Sequence, residues 1–481
     1  MMRKEYVRLG LDETNHDCPF RLSKENLKYE LCDTYPRLLL VPKAASGTLL
    51  KGAASHRSRN RLPVITWSNS RGVTISRCSQ PTSGMANRRN TEDEELLALI
   101  HKINTCSESF VICDCRPRAN AMANKIQGKG FEGDTYAQTH LIFFDIENIH
   151  KMRHSLALLK KCCENQLDSN WYVNLNDTKW VQHLSKILQC ARRVANMCDK
   201  DKYSVLVHCS DGWDRTAQVC ALAELLLDPY YRKFEGFQIL IQKEWIWFGH
   251  KFADRNGNFG QDMIPRSEKE RSPIFLQFLD CVYQIMRQYP RAFEFNHELI
   301  FELMLHVNSG RFGDFFCNCE KERDELHLWI RTPSLWKYLQ KNWEQNKYRN
   351  PGYTPIRNVL KPRYYVRDLV LWEDAYCRFT TDDKDRKVRR YFDALQGDLL
   401  SISKLIKTKQ NFLPNKDNPS APLLRQHETK ENDDNANLHE REFTDSFSDE
   451  KELQDIDPES ETGPMSPIAS IDRAYPVGTV V

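Results

Sequence analysis

Residues 204–227 constrain the fold more than any other stretch. A short run of β-branched and aliphatic residues, Ser204 to His208, leads to Gly212 and then to an apolar run, Thr216 to Leu227. The first run reads as a buried strand, the glycine as a tight loop and the last run as an apolar helix. That order aims the loop amides and the positive end of a helix dipole at one spot, which favours an anion. Cys209 opens the loop and Arg215 closes it, a Cys-x5-Arg spacing. A free thiol, with a pKa of about 8.5, is a poor nucleophile, and helix N-termini and cationic neighbours lower that value. A thiolate on the loop floor can attack phosphorus and form a cysteinyl-phosphate, while the amides and the Arg215 fork hold the equatorial oxygens.

Spacing alone is weak evidence, because the chain holds two more copies of it. Cys281 to Arg287 lies in an apolar run that reads as a core helix, with no glycine and no preceding strand. Cys317 to Arg323 is loaded with charge and lacks a following apolar helix. Only the Cys209 copy combines strand, glycine turn and helix, so Cys209 is the predicted nucleophile.

The remaining chain alternates strand and helix patterns. Residues 43–60, rich in Ala, Ser, Gly and basic side chains, read as a mobile basic loop within a loosely packed opening segment, 1–60. Arg61 to Ser79 alternates like a hairpin. Thr91 and the acids after it read as a helix start, with Thr91 the N-cap candidate. Ser109 to Asp114 and Thr139 to Asp145 read as buried strands, and Ile149 to Cys163 and Trp180 to Cys198 as helices. Residues 237–305 and 334–343 are mainly helical, 353–365 is irregular, and 366–379 holds the last clear apolar elements. The class is therefore α/β. Past about residue 408 the chain is polar, and Glu428 to Glu461 is strongly acidic with few aromatics, so 408–481 is expected to be a disordered acidic C-terminal tail. Within it, residues 463–467 (Gly-Pro-Met-Ser-Pro) read as a linker rather than a kinase site.

Composition sets outer bounds. A net charge of +3 over 481 residues gives no argument for nucleic acid. No run of about 18 apolar residues suggests a membrane span, and the N-terminus lacks an apolar signal core. Sixteen cysteines, scattered through apolar runs, read as reduced cytosolic thiols. Cys113-x-Cys115 and Cys317-x-Cys319 lack a second Cys/His set, so no metal and no cofactor are expected.

The segment His208-Cys-Ser-Asp-Gly-Trp-Asp-Arg-Thr216 resembles the active-site signature of the myotubularin phosphoinositide phosphatases. The resemblance runs from about Glu5 to Thr380. It includes Tyr29 to Pro36, Arg61-Leu-Pro-Val64, Arg77-Cys-Ser-Gln-Pro81, Ala119 to Lys125, Phe144 to His150 and Lys243-Glu-Trp245. It implies a cysteine-based phosphatase fold, a central mostly parallel sheet flanked by helices, over residues 1–400. It also implies release of the 3-phosphate from phosphatidylinositol 3-phosphate and phosphatidylinositol 3,5-bisphosphate. Phosphoinositide lipids at membrane surfaces and another myotubularin-related protein are the implied partners, and the expected location is cytoplasmic, peripheral on endomembranes. The resemblance begins inside the phosphatase region, so the family's N-terminal lipid-binding domain is expected to be absent. No sustained heptads mark the family's coiled coil; Lys384 to Ile402 holds two at most.

The leaving inositol oxygen needs a proton. Asp211 and Asp214 both lie in the loop, and both can instead cap loop amides. The resemblance makes Asp214 the general acid. Ser210 and Thr216 offer hydroxyls and amides near the sulfur, with Gly212 between them in the loop. Trp213 either packs on the substrate ring or buttresses the loop, and His208 reads as a strand-end histidine bonded to backbone. Asn124, Asn148 and Ile149 match family positions that contact the headgroup, and Lys251 and Arg255 match basic positions that hold a second phosphate. Lysine at 251 cannot make the bidentate fork of an arginine. Two alternatives remain: a protein tyrosine or dual-specificity phosphatase, and a silent adaptor of an active relative.

Overall fold

The computed structural model describes residues 1–165, 168–258 and 267–378. The expected acidic tail, the 384–402 segment and the Ser-Pro site lie outside the described residues. The chain opens with α1 (Met2–Arg8), β1 (Phe20–Ser23), β2 (Leu39–Pro42) and α2 (Gly47–His56). Then come β3 (Val64–Ser68), β4 (Thr74–Ser79), α3 (Thr91–Ile103), β5 (Phe110–Asp114), α4 (Arg118–Ile126) and β6 (Thr139–Phe143). The middle of the chain forms α5 (Ile149–Glu164), α6 (Trp171–Asp177), α7 (Trp180–Asp199), β7 (Ser204–Cys209) and α8 (Arg215–Leu227). Helices dominate the rest: α9 (Phe234–Ile241), a π-helical turn at Gln242–Trp247, α10 (Phe252–Asn256), α11 (Ile274–Gln288) and α12 (His297–Val307), followed by shorter pieces to Tyr376.

Five strands form the central sheet in the order β3-β4-β7-β5-β6. β3 and β4 are the antiparallel hairpin; β4, β7, β5 and β6 run parallel. The fold is α/β, a mostly parallel sheet flanked by helices. In the register, Ser79 lies opposite Cys209 and Asp114 opposite His208. The carboxyl ends of β4, β5 and β7 therefore share one edge, where ligands of open parallel sheets bind. α8 is buried at every residue and packs on β7 and β4, with α7 and α11 against it. A helix apolar all round belongs inside a core.

Several expectations fail in instructive ways. The loose basic loop over 43–60 is instead α2, capped by Ser46, with Leu49, Leu50, Ala53 and Ala54 buried. Small residues there let the helix sit close to α3, so Ala and Gly report tight packing rather than mobility. The opening segment 1–60 as a whole contributes Tyr6, Tyr35, Leu39, Leu40 and Val41 to the core, all fully buried. The hairpin expected over 61–79 forms as β3 and β4. Every residue of β3 and β4 is buried, and of their polar side chains Thr66 and Arg77 meet Glu244 while the Thr74 and Ser76 hydroxyls find no partner among the described residues. β6, expected over 139–145 as a buried strand, is instead an edge strand with no fully buried residue, because no strand among the described residues pairs with its outer side. Helix α3 does begin at Thr91, but Asn90 is its cap, accepting from the Asp93 amide at 2.7 Å.

Candidate active site

The β7–α8 junction brings Cys209, at the end of the strand, against the first turn of α8. The Thr216 hydroxyl donates to Cys209 Sγ at 3.2 Å. Arg215 closes the loop: Nη1 donates to Ile146 O at 3.0 Å and Nη2 to Ser210 Oγ at 3.3 Å. The cysteine, the arginine fork and the 146–149 segment are thus one assembly. The other two Cys-x5-Arg copies are spacing accidents: Cys281 is buried inside α11, and Cys317 is buried ahead of a short charged helix.

Two arginines hold the loop in shape. Gly212 takes φ +74°, and a Cβ there would stand 2.3 Å from Cys78 O, so only glycine fits. Its carbonyl accepts from Arg61 Nη2 at 3.0 Å and Arg77 Nη2 at 2.7 Å. Both guanidiniums are fully buried. A carbonyl held backward in this way is the arrangement in which successive loop amides can form an anion nest. Arg77 is itself held by Glu244 at 2.7 Å, and Arg61 by Phe248 O at 2.7 Å. The π-helical turn places Glu244 there and aims Lys243 at Glu224 (2.6 Å) and Thr66 O (2.7 Å). No sequence pattern marks this clamp, because its partners lie 135 or more residues apart.

The two aspartates separate cleanly. Asp211 accepts from the Ser58 hydroxyl at 2.7 Å. Asp214 caps no loop amide with its side chain. Its oxygens accept from Arg255 Nε at 3.1 Å and Nη2 at 2.9 Å, and His250 Nδ1 lies 3.2 Å away while donating to Trp213 O at 2.8 Å. Burial alone would raise the Asp214 carboxyl; Arg255 and then His250 outweigh it and hold it well below the usual carboxylate range. Arg255 also binds Glu270 at 2.9 Å. The expected second-phosphate ligand is therefore engaged with the expected acid. His250 was not foreseen; a lone histidine after Gly249 carries no spacing signal.

The other expected residues surround this centre. Lys251 lies 4.7 Å above the Trp213 ring and donates to Asp254 at 3.1 Å. Trp213 is buried, which fits the buttress better than a free stacking ring. Asn148 caps α5, accepting from the His150 and Lys151 amides. Ile149 follows, its carbonyl accepting from Ser272 Oγ at 2.9 Å. Asn124, on α4, donates to Gln80 Oε1 at 3.3 Å, and the Gln80 amide donates to Ser210 O at 3.1 Å. His208 faces backward to Glu132 at 3.0 Å, with its Nδ1 3.3 Å from Cys209 O. Glu132 in turn meets Arg57, which forks onto Asp93.

A family profile described as the myotubularin-like phosphatase domain matches residues 1–324. The chain belongs to this family. Against myotubularin of Xenopus laevis, this myotubularin-like domain is 46% identical over 379 residues, 78% of the chain and 62% of the relative. Against phosphatidylinositol-3,5-bisphosphate 3-phosphatase MTMR2 of Bos taurus it is 44% identical, over 78% of the chain and 58% of the relative. The corresponding protein of Gallus gallus is 41% identical over 422 residues, 87% of the chain and 72% of the relative. The chain thus spans about three fifths of the length of the first two relatives.

Proposed function

We propose that this chain is a phosphoinositide phosphatase that removes the 3-phosphate from phosphatidylinositol 3-phosphate and phosphatidylinositol 3,5-bisphosphate through a cysteinyl-phosphate. The observation that carries the reading is the junction itself. Cys209 Sγ sits on a hydroxyl donor at a helix N-terminus, inside a loop whose carbonyl is clamped away and whose arginine turns inward. The sulfur attacks phosphorus, the S–P bond forms as the bond to the inositol oxygen breaks, and that oxygen takes a proton from Asp214. Water then attacks the cysteinyl-phosphate, gives its proton to the Asp214 carboxylate, and phosphate leaves with the thiolate regenerated. Arg215 and the amides of Ser210, Asp211, Gly212 and Trp213 hold the equatorial oxygens.

The Arg255 pairing adds a condition. In the free site Arg255 and His250 favour the ionised Asp214, so it takes its proton from solvent as an anionic headgroup enters and competes for those two partners. Lys251 and Arg255 then face the second phosphate, with Asn124, Asn148 and Ile149 on the inositol ring. The same reading places the substrate in endomembranes facing the cytoplasm, the phosphatase domain at 1–400 and the acidic segment 408–481 outside it, and allows pairing with another myotubularin-related protein. Phosphate release from short-chain inositides, comparing the parent with Cys209→Ser, tests the proposal. Release is expected from the parent and none from the variant; equal release from both, or faster turnover of a phosphotyrosine peptide, overturns it.

A further inference from the structure

Helix α4 is amphipathic in the wrong direction for a helix that only packs on a core. Its sole buried residue is Ala121. The residues Arg118, Ala119, Met122, Ala123, Ile126 and Gln127 are exposed, a stripe at helical spacing that carries the helix's large apolar side chains outward. Met122 is 45% and Ile126 75% exposed. Beside them a turn at Gly84–Asn87 presents Met85, 64% exposed. The turn is fixed to the α4 side of the molecule: the Gly84 amide donates to Lys129 O at 3.1 Å.

This apolar patch stands beside the catalytic loop. α4 follows the carboxyl end of β5 and the turn follows that of β4, the edge from which Cys209 projects. Asn124 reaches Gln80, and Gln80 reaches Ser210, so two hydrogen bonds link helix to loop. The surroundings are cationic. Arg88 and Arg118 are exposed and Lys125 and Lys129 half-buried, and none forms an ion pair with a carboxylate among the described residues. Lys125 lies 4.8 Å over the Phe131 ring, and an apolar tip beside cations that meet no carboxylate matches an anionic lipid interface, where the apolar side chains enter the acyl boundary and the cations meet headgroups.

We propose that α4 and the Gly84–Asn87 turn form a membrane-docking face, inserting Met85, Met122 and Ile126 into an anionic bilayer so that the Cys209 loop faces the lipid surface. The choice of a membrane as partner rests on the proposed lipid substrate. Vesicles of phosphatidylcholine and phosphatidylserine, lacking any phosphoinositide, separate docking from catalysis. Met122→Asp combined with Ile126→Asp is expected to weaken co-sedimentation by about tenfold. Turnover of soluble short-chain phosphatidylinositol 3-phosphate is expected to stay unchanged. Ile126→Trp is expected to bind more tightly, with its added indole emission quenched by brominated lipid, and it decides the matter should the double variant fail to fold. Unchanged vesicle binding by the double variant, as a protein-binding face would give, overturns the proposal. So does an Ile126→Trp chain that is neither tighter nor quenched. If the parent turns over no short-chain lipid while the double variant still loses vesicle binding, the catalytic reading fails and the docking face stands.

Discussion

At the residue scale, the pairing of Asp214 with Arg255 sets the sharpest expectations. Asp214→Asn keeps the shape and removes the proton, so turnover of an inositide, whose leaving oxygen is basic, should fall by about 10²–10⁴-fold. An aryl phosphate with a good leaving group should lose far less; equal losses would reject the acid role. Arg255→Ala acts in the opposite sense on the same carboxyl. Burial raises Asp214 and the guanidinium lowers it, so without Arg255 the carboxyl titrates at higher pH. An acid must be protonated to act, and activity is lost as pH rises through its pKa. The variant's kcat on a monophosphate headgroup should therefore persist to higher pH than the parent's. Its preference for the bisphosphate headgroup should fall, since the second phosphate no longer has a fork to take. A pH–rate profile on both short-chain lipids checks the pair of outcomes, and an unchanged profile with an unchanged ratio counts against the assignment.

At the element scale, the strand–loop–helix unit and the helices behind it carry different kinds of constraint. Gly212→Ala forces a side chain into a left-handed backbone and against Cys78 O, a strain of roughly 1–3 kcal/mol that the loop can relieve only by turning its amides away. Both midpoint denaturant and phosphate release should drop. On α11, Asp280 is buried while accepting from Gln284, Tyr376 and Trp180. Burial pushes its carboxyl from 3.8 up to about 6, against those three hydrogen bonds. A raised acid favours the folded state fully below its unfolded value and loses that contribution as pH climbs. Between about pH 4 and 6 the parent should therefore lose roughly 2–3 kcal/mol from this group, and Asp280→Asn should flatten that slope in urea titrations. How legible these elements were follows from locality. The Cys209 unit was readable because its strand period, glycine and helix period lie within two dozen residues. Helix α2 was misread because Ala, Ser and Gly signal either a loop or a close helix contact. The Arg61–Gly212–Arg77 clamp was invisible because contacts between distant segments leave no periodicity.

At the scale of the whole molecule, the first sixty residues behave as part of the frame around Cys209 rather than as a loose opening. Leu39, Leu40 and Val41 on β2 and Leu50 on α2 are fully buried. At about 1.5–3 kcal/mol each, these four side chains alone match the net stability of roughly 5–15 kcal/mol typical of a domain. The polar ties reach further. Glu5 on α1 accepts from the Tyr231 hydroxyl, Tyr231 meets Lys243 at 2.8 Å, and Lys243 holds Glu224 on the buried helix α8. Arg57 braces Glu132, which faces His208 directly before Cys209, the proposed nucleophile. A chain beginning at residue 61 should accordingly show no cooperative unfolding transition. Because such a truncation also removes charge and length, the point variant Leu50→Ala is the cleaner test. A cavity in this position should cost about 2–5 kcal/mol, seen as a lower urea midpoint at unchanged slope. A midpoint equal to the parent's would mean that α2 is dispensable and that the opening segment rests on the core without supporting it.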